Sequence, residues 1–177
     1  SRSSISAFRS AKSRYSREPS ASPRTDSETS RAALTAPMLL TDDRGAAAFD
    51  ALVERAGAEH IAAVCGLRPH VSYSAPKILY LAQNEPRLFA ETAHLLLIED
   101  FIFYRLSGET VTDFSLASRT MLFDVHKKAW APELLAQTGV DARVLSRPCA
   151  SGTVLGTVPA SLARELGFAG TITLVMG

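Results

Sequence analysis

The sequence has few cysteines and no grouping of residues that is typical of a metal site. Only two of its 177 residues are cysteine, Cys65 and Cys149, and they form neither a CxxC pair nor a cluster with histidine. This spacing argues against structural zinc, and we expect two buried, inert thiols in a cytoplasmic protein rather than a disulfide. The four histidines also lack metal-ligand spacing, which predicts structural or exposed roles for them and no metal site.

Long apolar runs and several well-known catalytic motifs are missing as well. Charged residues interrupt the longest apolar stretch, residues 95–106, so no segment reaches the roughly 18 residues that suggest a membrane span. The chain contains no GxxxxGK[ST], GxGxxG, GxSxG or HExxH motif. The residues alone therefore predict an α/β protein without a complete active site.

Charge is nearly balanced overall but unevenly distributed along the chain. Residues 1–31 carry seven Lys/Arg against three Asp/Glu and include eleven serines. We interpret this segment as a disordered or non-homologous leader, because it has too little apolar surface to offset the entropy of ordering. The mildly acidic remainder, residues 32–177, does not suggest nucleic acid or membrane as a partner. A nucleic-acid-binding role would depend on the leader alone.

Apolar spacing and turn residues predict mixed helices and strands after residue 32. We expect a short strand at residues 38–41, a helix ended by Gly57, and a helix that Ser74 caps. Asn84 and Pro86 should divide that helix from a second one that runs to Gly108. Later predictions are an Asp113-capped turn, a β-like stretch at residues 120–125, helices ended by Gly139 and Gly167, and a buried strand in residues 170–177.

Three polar stretches each allow two interpretations. TDDRG, residues 41–45, is either a strand end that faces a cleft or a solvated turn with a local ion pair. SYSAPK, residues 72–77, supplies hydroxyls and a lysine to a site, or caps a helix and leaves the lysine exposed. TDFSLAS, residues 112–118, fits helix capping better than catalysis.

The stretch SYSAPKILYLAQN, residues 72–84, resembles the signature of the FGGY carbohydrate kinases, which include xylulokinase and glycerol kinase. The chain departs from that signature at Tyr80, where the family prefers tryptophan. The positions that fit are Ser72, Ser74, Lys77, Ile78, Leu81, Gln83 and Asn84.

Two further segments extend this resemblance over about residues 36–177, in the same order and spacing. LLTDDRG is similar to the family's Trp-x-Asp-x-Arg strand end, with Asp42 and Arg44 matching and Leu40 in the tryptophan position. Residues 99–125 resemble the family's Lys-Asp-Tyr-x-x-x-Arg-Leu-Thr-Gly segment followed by Thr-Asp-x-Ser-x-Ala-Ser. The matching positions there are Asp100, Arg105, Leu106, Gly108, Thr112, Asp113, Ser115, Ala117 and Ser118.

The resemblance implies a fold, a reaction and two cofactors. The fold would be part of a ribonuclease H-like, actin-like ATPase domain, with residues 32–177 as an incomplete N-terminal domain. The reaction would be ATP- and Mg²⁺-dependent phosphorylation of a sugar or polyol hydroxyl, with an aspartate as general base. That aspartate is expected beyond Gly177, and the Asp-x-Gly-Thr phosphate loop and the ATP-binding domain are not found in the printed residues. We therefore expect no catalytic, cofactor-binding or metal-binding residue here, and no activity from this chain alone.

The resemblance also implies which residues face the substrate. They are Leu40, Asp42, Arg44, Ser72 and Tyr73. Ser72 and Leu40 are smaller than their counterparts in glycerol kinase, which favours a bulkier sugar. The Ser-Ala-Pro-Lys sequence most resembles the corresponding motif of xylulokinases. We expect a pentulose substrate and allow for a homodimer. The alternative is a non-catalytic remnant or interaction module with the same partial fold.

Overall fold

A computed structural model describes residues 33–177, so the predicted leader at residues 1–31 lies outside the described part of the chain. Helices dominate the first half of the described residues, and short strands alternate with helices in the second half. The helices are α1 (Ala46–Ala56), α2 (Ala58–Cys65), α3 (Ser74–Asn84), α4 (Pro86–Glu91), α5 (Ile98–Ser107), α6 (Phe114–Ser118), α7 (Pro132–Thr138) and α8 (Ala160–Glu165). The strands are β1 (Val111–Asp113), β2 (Phe123–Asp124), β3 (Ala129–Trp130), β4 (Arg147–Cys149), β5 (Val154–Thr157) and β6 (Thr173–Val175).

The largest apolar core forms where α1, α2, α3 and α7 pack together. Each of these helices contributes one side that is almost completely removed from water, as expected for amphipathic helices around a shared core. Its most buried members include Leu52, Ile61, Leu79 and Leu134, which are at most 2% exposed. This core fixes the position of α3, the helix that carries the family-like signature.

The strands form three two-stranded pairings. Strand β1 pairs with β4 in parallel, whereas β2–β3 and β5–β6 are antiparallel. A smaller apolar cluster of Val111, Cys149 and Met176 lies beside the parallel pair. The alternation of helix and strand around a parallel pairing is the mixed α/β arrangement predicted from sequence.

Several predicted boundaries are confirmed. Helix α1 ends at Gly57, while α5 and α7 end at Gly108 and Gly139. Gly108 and Gly139 have φ values of 82° and 70°, left-handed conformations that glycine adopts without a Cβ penalty. Asp113 caps α6 by accepting a hydrogen bond from the Leu116 N–H, as the TDFSLAS pattern predicts.

The helix predicted to run from Pro86 to Gly108 is wrong, because the chain leaves helical geometry between α4 and α5. In this gap the Leu95 N–H donates to the Val144 carbonyl at 2.7 Å, and Leu95 forms a parallel bridge with Leu145. A new helix then begins where Asp100 accepts a hydrogen bond from the Leu97 N–H at 3.1 Å. The tertiary bridge and the new cap together outweigh the helical pattern of the sequence.

Two strand predictions also need correction. Residues 38–41 form no strand, since the Asp42 N–H donates to the Leu39 carbonyl and turns the chain, and no described strand pairs with this segment. The prediction of a buried strand at β6 holds in part: Leu174 is 7% exposed, but Val175 is 45% exposed, and β5 is the one described strand that pairs with β6. The β-like stretch at residues 120–125 shortens to the two residues of β2.

Both cysteines are buried and free within the described residues, which confirms their predicted burial, and their inertness stays a prediction. Burial raises the pKa of the Cys65 thiol to about 11 and also raises that of Cys149. Within residues 33–177 no helix is long and apolar enough to cross a bilayer. The same range contains no group of three or more acidic, histidine or cysteine side chains suited to a metal ion.

Candidate functional site at the start of helix α3

The TDDRG stretch is a turn organised around one ion pair. The Asp42 carboxylate accepts hydrogen bonds from Arg44 Nε at 3.0 and 3.1 Å, from Nη2 at 2.6 Å and from the Arg44 backbone N–H at 3.2 Å. Hydrogen bonding to Arg44 lowers the pKa of Asp42, and the carboxylate in turn raises the pKa of Arg44. The structure therefore shows the local ion pair of the plainer interpretation and no strand at this motif.

This turn lies directly against helix α3. Gly45 is buried so closely beneath the helix that a Cβ placed on it would be 2.6 Å from the Pro76 carbonyl oxygen. The Arg44 guanidinium lies 5.2 Å from the centre of the Tyr80 ring, within the usual range of a cation–π contact. Two residues of the sequence-predicted site, Asp42 and Arg44, are thus held against the helix that carries the signature.

The first turn of α3 is held by main-chain hydrogen bonds rather than by a side-chain cap. Tyr73 occupies the N-cap position, and Ser74 is the first helical residue and makes no capping bond, so the prediction that Ser74 caps this helix is wrong. The Ser74 and Ala75 N–H groups instead donate to the carbonyls of Arg119 and Thr120 at 3.4 and 3.0 Å. Backbone acceptors from a distant segment satisfy these N–H groups, which otherwise need a cap at a helix N-terminus.

Ser72 and Tyr73 precede the helix in a tight turn built on His70. The Ser72 N–H donates to the His70 imidazole Nδ1 at 3.2 Å, and the Tyr73 N–H donates to the His70 carbonyl at 3.1 Å. The Tyr73 ring also packs edge-on against His70, with ring centres 5.9 Å apart. Both predicted substrate-facing residues are half-buried.

Lys77 was expected to be exposed if SYSAPK only began a helix, and that expectation is wrong. The residue is 8% exposed, and its ammonium donates to the Ser72 carbonyl at 2.6 Å and to the Tyr73 carbonyl at 3.4 Å. Burial lowers the pKa of Lys77, whereas the nearby negative charge of Asp42 raises it. The sequence suggested either a lysine supplied to a site or an exposed lysine, and it did not predict a buried lysine bonded to the main chain. The signal that could have identified its role is the apolar neighbourhood, with Ala75 and Pro76 before it and Ile78 and Leu79 after it.

Leu40 is the predicted site residue that does not pack against the start of α3. It lies in the turn ahead of Asp42 and is 69% exposed. The other four predicted residues fall on two adjoining segments, the turn at residues 42–45 and residues 72–77, which lead into and begin α3. We refer to these two segments together as the α3 face.

A second polar cluster is centred on Asp100. Asp100 is 2% exposed and accepts hydrogen bonds at Oδ2 from Ser146 Oγ at 2.8 Å and from the Leu97 N–H at 3.1 Å. Its Oδ1 and Thr112 Oγ1 are both buried without a hydrogen bond of good geometry. Burial raises the pKa of Asp100, so this carboxylate has the environment of a structural acid that joins α5 to the residue before β4.

Comparison with known proteins gives a consistent set of matches. Residues 25–177 match the family model described as "FGGY family of carbohydrate kinases, N-terminal domain". The chain is 33% identical over 99 residues to L-fuculokinase of Salmonella typhi, which covers 56% of this chain and 21% of that protein. It is 36% identical over 102 residues to autoinducer-2 kinase of Yersinia enterocolitica, which covers 58% of this chain and 19% of that protein.

Solved structures show the same relationship in three dimensions. A xyloylose kinase from Brucella ovis superposes with a TM-score of 0.69 at 27% identity, over 78% of this chain and 28% of that one. A gluconate kinase from Lactobacillus acidophilus gives a TM-score of 0.72 at 21% identity, with the same coverage. These matches confirm the predicted fold class, a partial actin-like α/β domain. The chain spans about a fifth to a quarter of the length of the curated relatives it matches.

Proposed function

The chain belongs to the FGGY family of carbohydrate kinases, and on that premise we propose that it forms part of the sugar-binding side of a kinase that phosphorylates a sugar hydroxyl. The observation that carries this proposal is the arrangement of the α3 face. There the family-like signature at the start of α3 and the family-like Asp42–Arg44 turn pack against each other. Two motifs that lie about 30 residues apart in sequence are thereby presented on one surface.

The reaction transfers the γ-phosphoryl group of ATP to the sugar. A general base removes the proton of the sugar hydroxyl, the hydroxyl oxygen bonds to the γ-phosphorus, and the bond to the β–γ bridging oxygen breaks to release ADP. On the α3 face the cationic groups are already engaged, Arg44 by Asp42 and Lys77 by two carbonyls. These two cations do not fit a triphosphate–Mg²⁺ site, so we assign the α3 face to the sugar and place ATP and Mg²⁺ elsewhere in the protein.

The hydrogen bonds that already occupy Arg44 and Lys77 also indicate whether the sugar carries a charge. A carboxylate-bearing sugar would need an available cation, whereas the Asp42–Arg44 pair is neutral as a unit and the Lys77 ammonium is directed at main-chain oxygens. The α3 face therefore favours an uncharged sugar. This preference for an uncharged sugar, the small Ser72 side chain and the xylulokinase-like Ser-Ala-Pro-Lys sequence together support a ketose of the pentulose class, such as xylulose.

The proposal is tested by coupled measurement of ADP formation with a panel of sugars. We expect the longest natural form of the protein to turn over ATP with a ketopentose and to show much lower activity with gluconate. L-fuculose and glycerol separate a pentulose kinase from other members of the family. Calorimetry with the same sugars, without ATP, measures binding independently of catalysis.

The alternative, a non-catalytic module with the same partial fold, makes the opposite prediction. Such a module should neither bind these sugars nor release ADP in their presence. If no sugar in the panel gives a response in either assay, the kinase proposal is rejected. A cytoplasmic location and a homodimer remain predictions that fractionation and light scattering would check.

A further inference from the structure

Lys77 occupies a position that helix stability alone does not explain. It lies in the first turn of α3, where the N-terminal end of the helix dipole disfavours a positive charge. It is also almost completely removed from water, and burial of an ammonium group is costly unless hydrogen bonds compensate it. A lysine at this position therefore needs a specific set of partners.

Those partners belong to the segment immediately before the helix. The Lys77 side chain folds back along its own helix, so that Nζ reaches the carbonyls of Ser72 and Tyr73, five and four residues earlier. The contact with Ser72, at 2.6 Å, is short, as expected when a charged donor meets a carbonyl. One ammonium group thus joins two consecutive peptide groups of the His70 turn.

Asp42, on the other half of the α3 face, contributes only a secondary electrostatic interaction, because Arg44 is paired with it. Its carboxylate acts on Lys77 through space, while Arg44 holds it in place. No Asp42–Lys77 contact short enough for an ion pair occurs among the described residues. The Lys77 ammonium is therefore satisfied by main-chain carbonyls and not by a direct contact with a carboxylate.

We propose that Lys77 is a positioning residue that fixes the main chain of Ser72 and Tyr73 and so sets the shape of the sugar-binding surface. This inference rests on the proposed function for its reference to sugar. The part that concerns the main chain depends only on the contacts of Lys77. Lys77 does not itself contact substrate in this proposal, and its effect is transmitted through the two carbonyls.

The test compares two variants at this position with a matched control. Lys77→Met keeps a long, unbranched side chain but removes the donors, and Lys77→Arg keeps a charged donor with a different shape. The control is Lys128→Met, at an exposed lysine whose ammonium lies 5.9 Å from the centre of the Phe114 ring. Amide hydrogen exchange is measured at Tyr73, Ser74 and Ala75, and at Leu135 in α7, whose N–H bonds to Ala131.

In Lys77→Met we expect exchange at Tyr73 and Ser74 to accelerate about tenfold to hundredfold, the range expected for loss of a hydrogen bond to a charged donor. Leu135 should not change, Lys77→Arg should restore part of the protection, and Lys128→Met should leave all four amides unchanged. In the kinase assay the sugar KM should rise about tenfold while kcat stays within about twofold, the pattern of a lost binding contribution.

Three results would overturn the inference. Unchanged exchange at Tyr73 and Ser74 shows that Lys77 does not fix this turn. Acceleration that includes Leu135 shows a general loss of stability instead of local positioning, and selective loosening without a rise in KM removes the link to the sugar surface. If no sugar is phosphorylated, the proposed function fails, but the exchange data still decide whether Lys77 fixes the main chain.

Discussion

Substitution of Gly45 by alanine should separate the TDDRG turn from helix α3. A Cβ on Gly45 would lie 2.6 Å from the Pro76 carbonyl oxygen and 2.7 Å from its carbon, whereas ordinary contacts begin near 3.4 Å. The obstacle is main chain within a packed helix, so it cannot rotate away as a flexible side chain would. Either the turn or the helix must move by most of an ångström.

We expect this movement to cost about 1–3 kcal/mol of unfolding free energy, the usual range for overpacking a well-packed interior. The contact of Arg44 with Tyr80 depends on the same approach and should weaken with it. With a urea m-value of about 2 kcal/mol/M, the midpoint of unfolding should fall by about 1 M. The fluorescence of Trp130, the single tryptophan, reports the transition, since its half-buried indole donates to the Ser146 carbonyl at 3.0 Å.

Two other glycines serve as controls because the space around each is open. An added Cβ meets nothing within 4 Å at Gly170, so Gly170→Ala should change stability by less than about 1 kcal/mol, in the stabilising direction if at all. Gly108 has the same open space but a φ of 82°, so Gly108→Ala isolates backbone strain at about 1–2 kcal/mol. A Gly45→Ala variant as stable as Gly170→Ala would refute the packing argument.

Three further predictions concern charge, thiol reactivity and the sugar surface. Because burial raises the pKa of Asp100 above its usual 3.8, the folded state binds the proton more tightly, so this group's contribution to stability falls as pH rises from 3.8 through the raised pKa. Asp100→Asn should remove that part of the pH dependence in urea titrations from pH 4 to 7, and identical pH profiles for wild type and Asp100→Asn would contradict this. Asp100→Ala should lower the free energy of unfolding by about 2–3 kcal/mol, because it leaves Ser146 and the Leu97 N–H without their acceptor. Cys65 is fully buried with a pKa of about 11, so iodoacetamide at pH 8 should label it only after denaturation, and mass spectrometry that finds it modified in the native protein would show that the site opens. Ser72→Phe should raise the sugar KM about tenfold or more by narrowing the proposed binding surface, and an unchanged KM would place the sugar elsewhere.

Local signals in the sequence were sufficient where one residue determined the outcome. The helix end at Gly108, the cap at Asp113 and the joint at Pro86 follow from backbone conformation, side-chain hydrogen bonding and the missing proline N–H. Each of these effects acts within a few residues, so no knowledge of the rest of the fold was needed. The ion pair in the TDDRG turn was predictable for the same reason, since its partners are two residues apart.

Features that depend on distant partners were not predictable in this way. The gap between α4 and α5 exists because Leu95 finds Leu145, and Ser74 needs no side-chain partner because Arg119 supplies a carbonyl. The burial of Lys77 depends likewise on the packing of α3 against the large apolar core. Lysine is rarely buried without partners, so a sequence pattern alone favours the exposed alternative.

The start of α3 connects three segments that are far apart in sequence, and this connectivity bears on function. It receives the TDDRG turn through Gly45, offers two N–H groups to the segment at residues 119–120, and holds the His70 turn through Lys77. The first two contacts use main-chain atoms of the helix and tolerate many side chains, provided that residue 45 stays glycine. The third depends on one side chain. Variation at Lys77 should therefore alter the proposed sugar surface without dismantling the fold, whereas variation at Gly45 should affect both, so comparing the two substitutions separates binding geometry from stability.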